Sequence, residues 1–82
     1  ARTVTAGNGT VIVLSERESE LLAQLARSPR QIFTRQGLID AVFPEADDDG
    51  VVDTYVHYLR KKLGRSSVMT VRGVGYRLGE LR

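Results

Sequence analysis

Eighty-two residues, 41% of them hydrophobic and with a net charge of +2, suffice for one small domain, residues 1–82, with a single thin core, and they do not read as a disordered tail. The lack of cysteine excludes disulfides, thiolate metal sites and thiol nucleophiles and suits the cytoplasm, while the lack of a long apolar run excludes a transmembrane helix or signal peptide and any membrane partner that needs one. Charge is unevenly placed: residues 1–49 hold five Lys or Arg against eight Asp or Glu, net −3, and residues 50–82 hold seven against two, net +5, so an anionic partner would dock on the second half.

The chain opens at Ala1 without a Met and runs at once into a strand pattern, which suggests a piece of a longer protein. RTVT and TVIVL around AGNG predict an antiparallel hairpin with a glycine-bearing turn, Val11 and Val13 on one face and Ile12 and Leu14 on the other. Ser15 with Glu18 three positions on fits a capping box, and Glu16 and Glu18 suit the positive end of a helix dipole. That first helix carries Leu21, Leu22, Leu25 and Ala26 as its apolar stripe and runs as far as Ser28, where Pro29 ends it. Thr34 is the next N-cap, opening a short helix to about Val42 with Leu38, Ile39 and Val42 inward. Arg35 falls in its first turn, unfavourable for the dipole unless a phosphate lies there; an exposed arginine of no consequence is the equal alternative.

Phe43 to Asp49, FPEADDD, reads as a loop, with Asp49 the expected cap of the helix that follows. Three aspartates exceed what capping needs: the run is a solvated loop or a contact for a basic protein surface. From Gly50 to Gly64 the periodicity predicts the long helix. At about 3.6 residues per turn, Val52, Val56, Leu59 and Leu63 stack into one apolar stripe. The opposite face shows Gly50, Thr54, His57, Tyr58 and Lys61, hydrogen-bonding groups without a large aliphatic side chain. That face is either an ordinary surface or a reader of nucleic acid.

SSVMTVRGVGYRLGEL reads as a second hairpin. An even-numbered loop, Gly73-Val74 alone or Arg72 to Gly75, pairs Val71 with Tyr76 and Met69 with Leu78. That register gathers the apolar side chains on one face and leaves Thr70 and Arg77 on the other. Arg72 then lies at or beside a glycine-rich tip. The order of elements is that of an α+β winged helix-turn-helix: N-terminal antiparallel strands, three helices and a C-terminal β-hairpin wing.

LSERESELL at 14–22, FTRQGLIDAVF at 33–43, VVDTYVHYLRKKLG at 51–64 and TVRGVGYRL at 70–78 follow one another in the order of a known family. Over about residues 2–79 the chain resembles the winged-helix DNA-binding effector domain of OmpR/PhoB-type two-component response regulators. The resemblance implies a regulator of transcription that binds double-stranded DNA, with its third helix in the major groove and its wing in the adjacent minor groove. It implies groove-facing roles for Thr54, His57, Tyr58 and Lys61, a minor-groove role for Arg72, where negative potential concentrates around a guanidinium, and positions near the DNA backbone for Arg35, Tyr55, Arg60, Tyr76 and Arg77. It makes the loop carrying Pro44, Glu45, Asp47 and Asp48 the segment that contacts RNA polymerase. It further implies a receiver domain and sheet strands N-terminal to this chain, a monomeric isolated domain, tandem binding to direct repeats, and a cytoplasmic phosphorelay.

The sequence departs from the family at four positions. His57 and Tyr58 stand where two arginines often face the groove, which shifts base reading from bidentate guanine contacts towards van der Waals contact, water and DNA shape. Ser19 replaces a usual aromatic, and Phe43 a usual tryptophan. The rival reading is a winged helix that docks an acidic protein partner. An enzyme fits poorly: His57 is the only histidine, no cofactor or metal is expected, and the GVG of Gly73 to Gly75 lacks the strand-to-helix setting of a nucleotide-binding loop.

Overall fold

In the computed structural model, residues 2–5 and 7–79 are described, and within them the elements run β1 (Arg2–Thr5), β2 (Val11–Leu14), α1 (Glu16–Ala26), β3 (Phe33–Thr34), α2 (Arg35–Val42), α3 (Gly50–Leu63), β4 (Val68–Val71) and β5 (Gly75–Leu78). This is the α+β winged helix that the order of elements predicts. β1 and β2 form a two-stranded antiparallel sheet, and a second sheet has the order β3-β5-β4. The N-terminal hairpin turns through Gly9 at φ 85°, and Asn8 Oδ1 accepts from the Thr10 amide at 3.0 Å. Its faces divide as expected: Leu14 is buried and Ile12 half-buried, while Val11 and Val13 are exposed.

Ser15 starts α1 with a complete capping box, its Oγ accepting from the Glu18 amide and its own amide donating to Glu18 Oε1. The helix ends at Ala26, two residues short of the expected Ser28, because the residue before Pro29 is disfavoured in the α region. Leu21, Leu22 and Leu25 are buried, but Ala26, at the last helical position, is exposed. Ser19 is buried and donates its Oγ proton to the Glu16 carbonyl at 2.9 Å. The hydroxyl therefore enters the core already satisfied.

α3 is held by packing rather than by propensity. Gly50, Val51, Val52, Thr54 and Val56 are indifferent or poor helix formers. Val52, Val56, Leu59 and Leu63 are buried as the stripe predicts, and each such burial is worth about 1.5–3 kcal/mol, enough to outweigh propensity penalties of roughly 0.5–1 kcal/mol per residue. The stripe meets a core that includes Leu14, Leu21, Leu25, Leu38 and Val68, and α1 packs on both α2 and α3.

The N-cap of α3 differs from expectation. Asp49 occupies the cap position but has helical backbone angles, φ −71° and ψ −13°, and its side chain makes no capping bond. A cap needs an extended backbone to fold its oxygen onto the following amides. Asp48 Oδ1 accepts from the Gly50 amide instead, at 2.7 Å.

The wing register is also corrected. Val68 pairs with Leu78, Met69 with Arg77, Thr70 with Tyr76 and Val71 with Gly75, one residue away from the expected Val71 with Tyr76 and Met69 with Leu78. The loop is odd-numbered, Arg72 to Val74, because the Val74 amide closes a turn on the Val71 carbonyl at 3.0 Å with Gly73 at φ 74°. Tyr76 and Val68 are buried and Leu78 half-buried, whereas Met69 is exposed. The register is set by β5 being the middle strand: β3, a two-residue strand not anticipated from the sequence, pairs Phe33 with Tyr76 and Thr34 with Gly75. Gly75 must be glycine there, since a Cβ would lie 1.9 Å from the Phe33 carbonyl oxygen.

Candidate nucleic-acid interface

With its stripe buried, α3 turns Thr54, His57, Tyr58 and Lys61 outward, and all four are exposed. The Thr54 hydroxyl donates to the Gly50 carbonyl at 3.2 Å, which leaves its lone pairs to the outside. Tyr58 rests edge-on against Tyr55, ring centroids 5.4 Å apart, and Tyr55 against Phe43 at 4.9 Å. His57 lies 6.2 Å from the Tyr58 ring. The neutral side chains of the outer face are thus braced by an aromatic row whose inner end, Phe43, is buried.

The cations group at the C-terminal end of the same helix. His57, Arg60, Lys61 and Arg65 line one shallow cleft of about 330 Å³. Arg65 is absent from the sequence expectations, although the run RKKLGR at 60–65 holds the signal: a cation one residue past a helix C-cap returns to the last turn. Lys62 points elsewhere. Its Nζ donates to Glu18 Oε1 at 2.6 Å and to the Val13 carbonyl at 3.2 Å, bolting α3 to α1 and β2. Burial alone would raise the Glu18 carboxyl, but the Lys62 ammonium and the Ser15 amide and hydroxyl outweigh it and hold it below the usual range.

The five residues expected near a DNA backbone are placed in different ways. Arg35, first residue of α2, donates its Nε to Asp53 Oδ1 at 2.9 Å. It is therefore neither an idle surface arginine nor a lone cation at a helix N-terminus. Tyr76 of β5 is buried, and its hydroxyl donates to the same Asp53 oxygen. The Tyr76 hydrogen bond, followed by that of Arg35, keeps the Asp53 carboxyl below its usual range against the opposing effect of burial. Burial and then Asp53 push the Tyr76 phenol up. Arg60 reaches across to the wing, donating from Nε and Nη2 to the Val68 carbonyl at 3.0 and 2.7 Å and from Nη2 to Thr70 Oγ1 at 2.8 Å. The Arg35 and Arg60 guanidinium carbons lie 5.4 and 5.9 Å from the Tyr76 ring centroid. Tyr55 is half-buried. Arg77 is half-buried opposite Met69, on the strand face away from Tyr76.

Arg72 is exposed at the wing turn, beside an exposed Val74. Pro44, Glu45, Asp47 and Asp48 are exposed between α2 and α3, with Asp48 committed to the α3 N-terminus. Among the described residues no group of three His, Cys, Asp or Glu could hold a metal ion, and no helix is long and apolar enough to cross a membrane.

Comparison with known proteins agrees with this geometry. The family described as transcriptional regulatory protein, C terminal, matches residues 9–78. The DNA-binding response regulator MtrA of Mycobacterium tuberculosis is 42% identical over 79 residues, covering 88% of this chain and 35% of the relative. The transcriptional regulatory protein TrcR of the same organism is 42% identical over 76 residues, covering 87% and 30%. The chain thus spans about a third of the length of the curated relatives it matches. Among solved structures, the DNA-binding domain of Bacillus subtilis CssR superposes with TM-score 0.84 at 32% identity, covering 94% of this chain and 90% of that one. The response regulator AdeR DNA-binding domain, in complex with an intercistronic region, superposes with TM-score 0.81 at 28% identity, covering 95% and 84%.

Proposed function

The chain belongs to the OmpR/PhoB-type family of response-regulator C-terminal winged-helix DNA-binding domains, and from that premise we propose that it reads double-stranded DNA with α3 in the major groove and the Arg72 turn in the adjacent minor groove. The observation that carries this reading is the division of α3 itself. One face is wholly buried, and the other presents Thr54, His57, Tyr58 and Lys61 with no aliphatic side chain, continuing into a cleft lined by three cations. Neutral donors and acceptors suit base edges, and the cations suit phosphates.

Arg35, Tyr55 and Arg77 are the backbone contacts in this reading, joined by Arg65. Arg60 and Tyr76 lie in the same region, Arg60 with Nε and Nη2 and Tyr76 with its one hydroxyl proton turned inside the protein, so they support the surface more than they touch DNA. The chain works as the effector part of a longer, cytoplasmic two-component regulator, two copies standing in tandem on direct repeats. The exposed Pro44, Glu45, Asp47 and Asp48 loop faces RNA polymerase. A protein-interaction module would need no DNA sequence preference, and that separates it from this reading.

The test is selection of duplexes from a random pool, then titration of the selected duplex over a range of salt. Each phosphate neutralised contributes about −0.9 to the slope of log K against log salt. Lys61→Ala and Arg72→Ala should each weaken binding by about 1–3 kcal/mol. Failure to enrich any duplex at low salt, or binding indifferent to both substitutions, would sink the proposal.

A further inference from the structure

Asp53 is the only acidic residue of α3, and it stands four positions before His57 and eight before Lys61, on the row that faces outward. Its side chain is about half exposed, at 47%. A carboxylate there repels the phosphates that the rest of the row is built to meet, and the positive end of the helix dipole offsets only part of that repulsion. Something else must favour an acid at this position.

What Asp53 does in the structure is join three elements through one oxygen. Oδ1 accepts from Arg35 Nε, at the start of α2, and from the Tyr76 hydroxyl on the middle strand of the wing sheet. Two consequences follow from donor arithmetic. Arg35 spends Nε on Asp53 and rests its guanidinium against Tyr76, 5.4 Å from the ring centroid, while its side chain stays 44% exposed. An exposed guanidinium fixed through Nε, with donors to spare, is set for a phosphate oxygen. Tyr76 has only one hydroxyl proton and gives it to Asp53, so the phenol braces the wing instead of donating outward.

We propose that Asp53 is a positioning residue for DNA recognition: it aims Arg35 at a backbone phosphate and locks the wing, through Tyr76, to the first turn of the reading helix. The proposal rests on the DNA reading above. It makes the specific complex depend on a negative charge that the non-specific complex would be better without. That opposition is its signature. A residue that matters only for folding changes both complexes together, and one that only repels DNA improves both when neutralised.

The test uses Asp53→Asn, close in shape and lacking the charge, with Arg35→Gln, Tyr76→Phe and the Asp53→Asn/Arg35→Gln double variant. Equilibrium binding is measured across salt for the selected duplex and for a random-sequence duplex of equal length, and thermal unfolding is followed for each protein. For Asp53→Asn, binding of the selected duplex should weaken roughly ten-fold, the scale of one lost charge-assisted hydrogen bond. Its salt slope should become shallower by about 0.9, one phosphate, while binding of the random duplex stays equal or tightens. Tyr76→Phe should lower the ratio of selected to random binding in the same direction. Arg35→Gln should reproduce the loss, and the double variant should lose no more than the worse single.

Equal tightening of both duplexes by Asp53→Asn would overturn the proposal and leave Asp53 a mere repulsive charge. Equal weakening in step with a lowered unfolding midpoint would overturn it in favour of a folding role. Losses that multiply in the double variant would overturn the link to Arg35. If the wild-type chain itself shows no preference for the selected duplex, the DNA reading fails, and this inference with it.

Discussion

Arg60 offers the sharpest separation between a DNA contact and a support, because its position in the sequence and its geometry in the structure point to different roles. Three hydrogen bonds from Nε and Nη2 hold the Val68 carbonyl and Thr70 Oγ1 of β4. Arg60→Met keeps most of the aliphatic stem and removes all three. A bond from a charged donor is worth about 1.5–3 kcal/mol when shielded, but the side chain is only half-buried and water replaces part of what is lost. A net loss of about 1–2 kcal/mol is the working figure, most of it from the part-buried Val68 carbonyl left without its donors. In a domain of this size each kcal/mol moves the unfolding midpoint by roughly 4–8 °C, so a fall of about 4–15 °C is expected. The wing amides of β4 should also exchange faster with solvent than those of α1. Arg60→Lys keeps the charge but not the fork, and should lose nearly as much stability. The reasoning fails if Arg60→Met leaves the midpoint unchanged while the DNA-binding salt slope shrinks by about 0.9, since Arg60 would then be spending its charge on a phosphate.

Two further outcomes follow from contacts inside the fold. Gly75→Ala should destabilise the domain by at least about 1–3 kcal/mol, because the new Cβ meets the Phe33 carbonyl at 1.9 Å; a thermal melt indistinguishable from wild type would show that β3 is not paired as described. Glu18 has a folded-state pKa below its usual value, so its contribution is present above the unfolded value of about 4.3 and is lost as pH falls through the lower folded value. Asp53 acts in the same direction. Unfolding midpoints taken from neutral pH downward should therefore drop on the acid side, and Glu18→Gln should be less stable at neutral pH yet show a flatter acid limb. A limb of unchanged steepness would contradict the assignment.

The parts of this fold that were legible in the sequence are those written in local chemistry. The Ser15 and Glu18 capping box needs only four residues, and the α3 stripe of Val52, Val56, Leu59 and Leu63 needs only helical periodicity. What escaped was non-local. β3 is two residues long, too short for alternation to show, yet it makes β5 a middle strand and so decides the wing register. Maximising apolar pairs within two strands placed Met69 inward, whereas the buried anchors are Val68 and Tyr76. Asp48 and Asp49 are chemically identical, and sequence alone does not show that Asp48 takes the Gly50 amide while Asp49 sits with helical backbone angles and no capping bond. Arg35 and Asp53 are eighteen positions apart, so no helical or strand spacing announces their pairing. In the interface the outward face of α3 was readable, but the inward commitments of Arg60, Lys62 and Tyr76 were not, since a cation or phenol on a helix or strand edge carries no mark of which way it turns.

If α3 reads a groove as proposed, those inward commitments bear on how it does so without the arginines that the family often supplies. A bidentate arginine carries much of its specificity in its own planar fork and tolerates some freedom in the helix that bears it. His57 and Tyr58 have fewer donors than an arginine fork, so in the proposed reading their discrimination depends on being held at a fixed depth and angle. Tyr58 is braced by Tyr55 and Phe43, α3 is bolted to the body by Lys62 and Glu18, and its two ends are tied to the wing sheet by Asp53 and Arg60. A reading helix with weak individual readers gains most from a rigid mounting. The charge of the front face is therefore less informative about sequence preference here than the ties behind and beside it, and loosening a tie should blur the proposed preference before it abolishes binding.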